Sequence, residues 1–185
     1  MTRVLAIDPG PLSSAWLVYD KEHRTPLEWA YEVNDDVLTS LSVREHQVSC
    51  LAIEHIQHYG RGMPVGADVF ETCIWMGRFI GVFDLKPWIL IKNPTIRTCL
   101  CGTATANARQ IKQALIDKFG GKDKAIGGTR CVKCKGKGWV GRGRSTCPVC
   151  SGKLWAHPPG PLHDMTDHIW SALAVAVCWS EQHAH

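Results

Sequence analysis

Three short, wholly apolar runs most constrain what this chain can fold into. They occupy residues 4–7, 50–53 and 88–91 of a 185-residue sequence. Runs this short, without polar alternation, are typical of strands buried on both faces of a sheet that helices cover. Two further segments, 15–19 and 26–33, follow the first run and complete a predicted three-stranded meander.

Helical patterns separate the later strands. Asn34 begins a predicted helix that reaches about Gln47, and residues 67–83 form a second with an apolar face. That face consists of Phe70, Ile74, Met76, Phe79 and Ile80. An amphipathic helix is predicted over 104–119, and a last helix is predicted to end near Gln182. Cys99 and Cys101, before the first of these, alternate as in a strand or turn. The order βββαβαβα predicts an α/β fold, a mixed five-stranded sheet flanked by helices.

Composition and cysteine usage indicate the class of protein. Asp8 comes too early for the apolar stretch of a signal peptide, and no apolar run approaches the roughly 18–20 residues of a membrane-spanning helix. We therefore expect a soluble, cytoplasmic protein without a membrane partner. Disulfides are not expected there, although the chain has nine cysteines. Four of them form two CxxC pairs separated by 12 residues, Cys131/Cys134 and Cys147/Cys150. Two such pairs complete a tetrahedral S₄ site, so we expect one structural Zn²⁺ without a catalytic position.

The cysteine pairs lie in a basic segment. Residues 121–157 carry nine basic residues and one acid, against twelve basic and sixteen acidic residues elsewhere. We predict a small zinc-binding insertion at 121–157 within a domain formed by 1–120 and 158–185. The charge, without an amphipathic helix, favours nucleic acid over membrane as partner.

The basic segment contains candidate contacts to DNA phosphates, with Trp139 packing on the zinc-binding turns or stacking on a base. The candidate phosphate contacts are Lys135, Lys137, Arg142 and Arg144. A solvated basic knob or a subunit contact is the alternative.

Acids follow two of the apolar runs. Asp8 ends the first and Glu54 the second. If the two strands are parallel neighbours, these carboxylates lie at one sheet edge, about 5 Å apart. Asp164 and Asp167 lie at the predicted start of the last helix. Because they are three residues apart, we expect both on one face of its first turn. The alternatives are a helix cap for this pair and turn initiation for Asp8.

Four converging carboxylates repel one another unless divalent cations neutralise them. Oxygen ligands suit Mg²⁺ or Mn²⁺, and two such ions activate a water and stabilise the leaving oxygen of a phosphodiester. Together with the basic segment, this pattern predicts a nuclease. Its predicted catalytic metal ligands are Asp8, Glu54, Asp164 and Asp167.

Three motifs in this order resemble those of the RuvC-like Holliday junction resolvases of the ribonuclease H-like superfamily, in particular the short bacteriophage versions. The motifs are Ile7-Asp8-Pro9-Gly10, Ala52-Ile53-Glu54 and Asp164-Met165-Thr166-Asp167. The resemblance covers 1–119 and 158–182. It implies a ribonuclease H-like fold, two Mg²⁺ ions on the four acids, and a homodimer that cuts branched DNA in recombination or repair, leaving 5′-phosphate and 3′-hydroxyl ends.

The resemblance also implies DNA contacts near the active site. Bacterial members have an aromatic residue soon after the strand-end Glu, but the third residue after Glu54 is Gln57. Tyr59 is the nearest aromatic candidate, with Arg61 beside it as a basic one. Basic residues in the fourth-helix region of the family are matched by Arg109 and Lys112.

Other functions remain open on the sequence alone. A non-catalytic zinc-containing DNA-binding protein could keep the same scaffold, and catalytic acids do not distinguish branched DNA from the RNA–DNA hybrids of a ribonuclease H. Actin- or hexokinase-like nucleotide binding would need a second half and a longer chain. The exposed face of residues 67–83 is the predicted dimer surface.

Overall fold

The computed structural model describes residues 2–56, 66–83, 86–141 and 144–183. The chain forms two compact units, one of Met1–Ile111 with Thr166–His185 and one of Lys112–Met165. Among the described ranges, no helix combines the length and apolar character that crossing a bilayer requires. The predicted division at residues 121 and 157 stays a prediction.

A mixed sheet forms the centre of the first unit. Its strands are β1 (Arg3–Asp8), β2 (Ser13–Asp20), β3 (Thr25–Val33), β4 (Cys50–His55) and β5 (Trp88–Lys92). The spatial order is β3-β2-β1-β4-β5, antiparallel from β3 to β1 and parallel from β1 to β5. The predicted mixed five-stranded sheet is therefore confirmed, and so is the parallel pairing of the two strands that end on acids.

Helices cover both faces of this sheet. The helices of the described chain are α1 (Asn34–Arg44), α2 (Ala67–Val82), α3 (Asn93–Cys101), α4 (Ala108–Lys118), α5 (Lys122–Ala125) and α6 (Asp167–Gln182). On one face, Leu5, Ile7 and Ile53 pack with α1 and α2 in a buried core. Since side chains alternate along a strand, Asp8 and Glu54 point to the opposite face. There α6 packs against β1, β2 and β4.

The stretch after β5 differs from the prediction. Cys99 and Cys101 lie in α3, not in a strand or turn, because Pro94 suits a helix N-terminus and Gly102 ends the helix with φ of 74°. The next helix, α4, begins at Ala108 rather than 104. The reason is a capping box, in which the Asn107 and Gln110 side chains each accept a hydrogen bond from the other residue's amide.

The apolar face predicted for α2 is also divided. Met76 and Phe79 are buried, whereas Phe70 is 61% exposed and Ile74 is 51% exposed. The two pairs lie on opposite sides of the helix because residues four apart share a face. The second side is an exposed apolar surface in this chain.

The second unit contains two short antiparallel ribbons. β6 (Thr129–Arg130) pairs with β9 (Trp155–His157), and β7 (Trp139–Val140) pairs with β8 (Ser145–Thr146). The first CxxC pair follows β6 directly and the second follows β8. These ribbons are too small to bury a core of their own, so the buried cysteines are their central packing element.

Candidate active site and cysteine cluster

A row of side chains crosses the sheet at the carboxyl end of β1. Tyr31 of β3 lies opposite Ala15 of β2, and Ala15 lies opposite Asp8 of β1. The parallel register of β1 and β4, continued by one residue, places Glu54 beside Asp8. Directly paired residues share one face of a sheet, so the two predicted acids meet at one edge.

The environment of these two carboxylates favours a cation. Burial, and after it the negative charge of Glu54, raises the pKa of Asp8 to about 6. Burial also raises the pKa of Glu54, against the lowering effects of a hydrogen bond from Asn93 and the positive charge of Arg97. Two neighbouring, largely desolvated acids are destabilised when both are ionised, and a bound cation relieves this cost.

Sequence reasoning missed two residues that contact this acidic pair and a third that stacks on one of them. The Nδ2 amide of Asn93 donates a hydrogen bond of 2.5 Å to Oε1 of Glu54. Nδ1 of His168, in the first turn of α6, lies 3.4 Å from Oδ2 of Asp8. Tyr31 stacks on His168 with ring centroids 4.6 Å apart and an interplanar angle of 6°. Asn93 directly follows β5, so a search for polar side chains at strand ends could have found it.

The side chains of Asn93 and Arg97 each contain a buried polar atom without a hydrogen-bond partner among the described residues. Within the described ranges, Oδ1 of Asn93 and Nε of Arg97 are buried and have no hydrogen-bond partner. Buried polar groups are nearly always paired in folded proteins. An oxygen of this kind beside Glu54 fits a site whose remaining ligand atoms come from outside the chain.

A buried network fixes the turn that follows Asp8. The Gly10 amide donates to Oγ of Ser14, that hydroxyl donates to Oδ1 of Asn34, and Nδ2 of Asn34 donates to the Gly10 carbonyl. A Cβ at Gly10 would lie 2.4 Å from the Ser13 carbonyl oxygen, so only glycine fits there. Asn34 therefore holds the Asp8 turn instead of capping α1.

The two remaining predicted acids are placed differently. Asp167 is the first residue of α6, directly before His168. Asp164 belongs to the second unit, has a left-handed backbone with φ of 64°, and pairs with Nδ1 of His163 at 2.8 Å. The expectation that both share the first helical turn is wrong, because the helix begins only at Asp167, after Thr166. The metal-binding role of Asp164 stays a prediction.

The four predicted zinc ligands converge in the second unit. Their Sγ atoms all lie within 4.8 Å of one another, and all four side chains are buried. Cys131 and Cys147 are 3.8 Å apart, and Cys134 and Cys150 are 3.6 Å apart, measured between Sγ atoms. Zn–S bonds of about 2.3 Å at tetrahedral angles require S–S edges of about 3.8 Å, so this donor set fits zinc.

Hydrogen bonds around the cluster favour the thiolate form of two of its cysteines, Cys134 and Cys147, whereas burial and the neighbouring thiols raise the pKa of Cys150 to about 11. Each CxxC pair is followed by two residues with positive φ, Lys135-Gly136 and Ser151-Gly152, so the chain makes the same turn twice. Burial raises the pKa of Cys134, but hydrogen bonds from the Gly138 amide and the neighbouring thiols lower it to a net value of about 6. Backbone hydrogen bonds, that of Cys150 first, also lower the pKa of Cys147.

The predicted DNA contacts are distributed over the chain. Arg109 is exposed on α4 in the first unit, and Lys112, partly buried on the same helix, begins the second unit. Near the cysteine cluster, Nζ of Lys137 lies 5.5 Å from the Trp139 ring centroid and Cζ of Arg144 lies 5.3 Å from it. Lys135 is also exposed. Three other candidates lie outside the described residues: Tyr59, Arg61 and Arg142.

Two of the solved structures that are similar to this chain come from Thermus thermophilus. Its RuvC structure matches with a TM-score of 0.59 and 12% identity, covering 96% of this chain and 92% of that one. A structure of T. thermophilus RuvC in complex with a Holliday junction substrate covers 99% and 97%, at 12% identity and a TM-score of 0.49. Protein-family profiles and curated proteins give no match. The likeness is therefore one of fold, and the fold is the ribonuclease H-like fold of RuvC.

Proposed function

From the ribonuclease H-like fold of RuvC, we propose that this protein is a metal-dependent endonuclease that cleaves branched DNA such as Holliday junctions. The observation that carries the proposal is the meeting of Asp8 and Glu54 on neighbouring parallel strands, with the pKa of both carboxyls raised. Desolvated, mutually repelling carboxylates at the sheet edge of an α/β fold are typical of a catalytic cation site. The predicted cytoplasmic, bacteriophage-type character belongs to this proposal.

Divalent ions would complete the site. Asp8, Glu54 and Asp167 would hold them, together with Asp164 as the motif predicts. When bound, two Mg²⁺ or Mn²⁺ ions would help to activate a water that attacks the phosphorus and would stabilise the leaving 3′ oxygen, so the products would carry 5′-phosphate and 3′-hydroxyl ends. Asn93 fixes one oxygen of Glu54 by its hydrogen bond, and His168 restrains Asp8. These contacts orient the ligands before any cation or DNA binds.

The cysteine cluster would bind one structural Zn²⁺ and support DNA binding. With four thiolate ligands the ion has no open position, so its contribution is to the fold of residues 121–157. Lys137 and Arg144 flank Trp139 within cation–π distance, which holds two cations at an exposed ribbon. With Lys135 they form a basic surface suited to DNA phosphates.

A homodimer would explain the exposed side of α2. Phe70 and Ile74 are exposed there, and a Cβ at Gly77 or Gly81 would touch nothing within 4 Å. An apolar helix face with two glycines allows close approach of a second helix. Symmetric nicking of two strands needs two active sites, so we place the subunit contact on this face.

Cleavage of matched substrates tests the proposed function. The purified protein with Mg²⁺ is offered a four-way junction, a flap, a linear duplex and an RNA–DNA hybrid of the same sequence. We expect cleavage of the four-way junction, and a loss of more than about 100-fold for Asp8→Asn and Glu54→Gln, since even partners of metal ligands are worth 10- to 100-fold.

The control variant is Asp36→Asn, an exposed acid in the first turn of α1. It should cut as the wild type does, and all variants should bind the junction. Preferred cleavage of the hybrid would assign the site to a ribonuclease H instead. Junction binding without cleavage of any substrate would contradict the nuclease proposal.

A further inference from the structure

An open cavity of about 500 Å³ lies beside Asp8 in the first unit. The Pro9–Ser13 turn and the Tyr31–His168 pair line it together with Asp8. Its volume is in the range of small-molecule and cofactor sites. Because Asp8 is shared, a group in this cavity would be adjacent to the proposed cleavage site.

The aromatic pair in this cavity is exposed and held in place. Tyr31 is 48% exposed on the edge strand β3, and the His168 side chain is 59% exposed. His168 is restrained on its other side by Asp8, and Tyr31 is fixed by pairing with β2. The residue between them in the row, Ala15, is small enough to leave room for the imidazole. The core does not need these two rings, since both lie at its margin.

The chemistry of the lining selects a neutral, flat group. Leu12, on the turn, is 80% exposed and adds an aliphatic surface beside the rings. The described residues that line the cavity include no lysine or arginine, so a phosphate is disfavoured in the cavity itself. Nucleobases stack on exposed aromatic side chains, and every base offers such a face.

We propose that this cavity binds one nucleoside of the DNA strand being cut, next to the scissile phosphate, with its base stacked on the Tyr31–His168 pair and against Leu12. The inference rests on the proposed function and names a subsite for it. It assigns Tyr31 a binding role that also sets how the cut strand enters the site.

A double-mutant cycle, in which the Tyr31 ring and single DNA bases are removed separately and together, tests this subsite. Junctions carry single abasic sites, one at a time, at the nucleotides flanking the crossover. Wild type, Tyr31→Leu, Tyr31→Phe and Leu12→Ala are titrated with them by fluorescence anisotropy in Ca²⁺. We expect Tyr31→Leu to weaken binding of the intact junction roughly tenfold, the scale of one stacked base. At one abasic position the affinity of the wild type should fall by the same factor, whereas the affinity of Tyr31→Leu should not fall further.

The other variants separate stacking from folding. Tyr31→Phe keeps the aromatic ring, so its affinity for the junction should stay within about twofold of the wild type. Leu12→Ala should lose less affinity than Tyr31→Leu, and its loss should depend on the base at the same DNA position. If the Tyr31→Leu and abasic losses multiply at every position, the ring acts only on His168 or on the fold, and the subsite is refuted. Wild-type cleavage of the intact junction in Mg²⁺ is read separately, so this inference can fail while the nuclease proposal holds.

Discussion

Asp8 lies where an ionised carboxylate lowers the stability of the fold. Its carboxyl is largely buried, lies beside Glu54 and has a pKa raised to about 6, against an ordinary value of 3.8. The hydrogen bond with His168 offsets part of this cost. A residue that served only the fold would be neutral at this position, because an ionised, desolvated carboxylate beside another acid is unfavourable.

Asp8→Asn should therefore stabilise the protein when no divalent cation other than zinc is present. A carboxyl whose pKa is raised on folding contributes most when protonated, below about pH 4, and that contribution is lost as pH rises through about 6. The gain from Asp8→Asn should be near zero at pH 4 and reach about 1–3 kcal/mol above pH 6. Urea denaturation at several pH values, followed by tryptophan fluorescence, measures it.

Asp36→Asn, on an exposed acid of α1, is the control for the loss of one acidic side chain away from the site. Added Mg²⁺ should narrow the difference between Asp8→Asn and the wild type, because the cation stabilises only a site with its carboxylate. A variant that is less stable than the wild type at every pH would show that the contact with His168 outweighs burial and repulsion.

The sequence predicted part of the candidate site at this scale. Asp8 and Glu54 were found because an acid that closes a buried strand has few structural roles, and the parallel register then brought them together. His168 and Tyr31 carry no such signal, since their contact depends on how α6 crosses β3. Asn93 follows the strand-end rule but is an amide, and amides at strand ends are common in turns.

Among the elements, local signals explain both the correct and the wrong predictions. The buried strands β1 and β4 were found because their apolar runs are unambiguous. The expectation that 88–91 is equally buried is wrong, because β5 is an edge strand in which Trp88 is 49% exposed and only Ile91 is buried. The helix α3 was missed because Pro94 can equally end a strand or begin a helix, and only Gly102 and the packing of α3 against α6 decide it. The division of α2 could not be predicted, because its two apolar sides are equivalent until the sheet covers one.

The exposed apolar side of α2 can be tested as the proposed subunit contact. Phe70→Lys should dissociate the proposed dimer, since a lysine on the apolar side would be buried unpaired in the subunit contact. We expect sedimentation to show a monomer at concentrations where the wild type is a dimer, with an unchanged circular dichroism spectrum. The monomer should nick one strand of a junction without the paired second cut.

Phe70→Leu is the matched control, because it keeps an apolar side chain at the same exposed position. It should remain a dimer and cut both strands. A wild-type protein that is monomeric at micromolar concentration, or a Phe70→Lys variant that stays dimeric, would move the subunit contact away from α2.

The whole molecule combines two units with different sources of stability. The first has an ordinary apolar core between the sheet and its helices. Within the second unit, residues 129–157 form two short ribbons around four cysteines, so we expect much of the folding free energy of this segment to come from the proposed zinc ion. Positive charge is concentrated in residues 121–157, while the rest of the chain is acidic.

The salt dependence of junction binding should therefore depend on the zinc-binding segment. Lys135→Gln, Lys137→Gln and Arg144→Gln together remove three proposed phosphate contacts but keep the side-chain stems that pack near Trp139. Each lost contact lowers the slope of log K against log salt by about 0.9, so the triple variant should lower it by roughly 2.7. Anisotropy titrations between 50 and 200 mM salt, about the range where such slopes are measured, provide the values.

Lys135→Arg with Lys137→Arg is the charge-preserving control and should keep the wild-type slope. Zinc-depleted protein should lose at least as much of the slope as the triple variant, because the three cations keep their positions only while the four thiolates hold the metal. A triple variant that retains zinc and the full slope would make the segment a solvated knob or a subunit contact. The proposed cleavage would then need a different source of affinity for DNA.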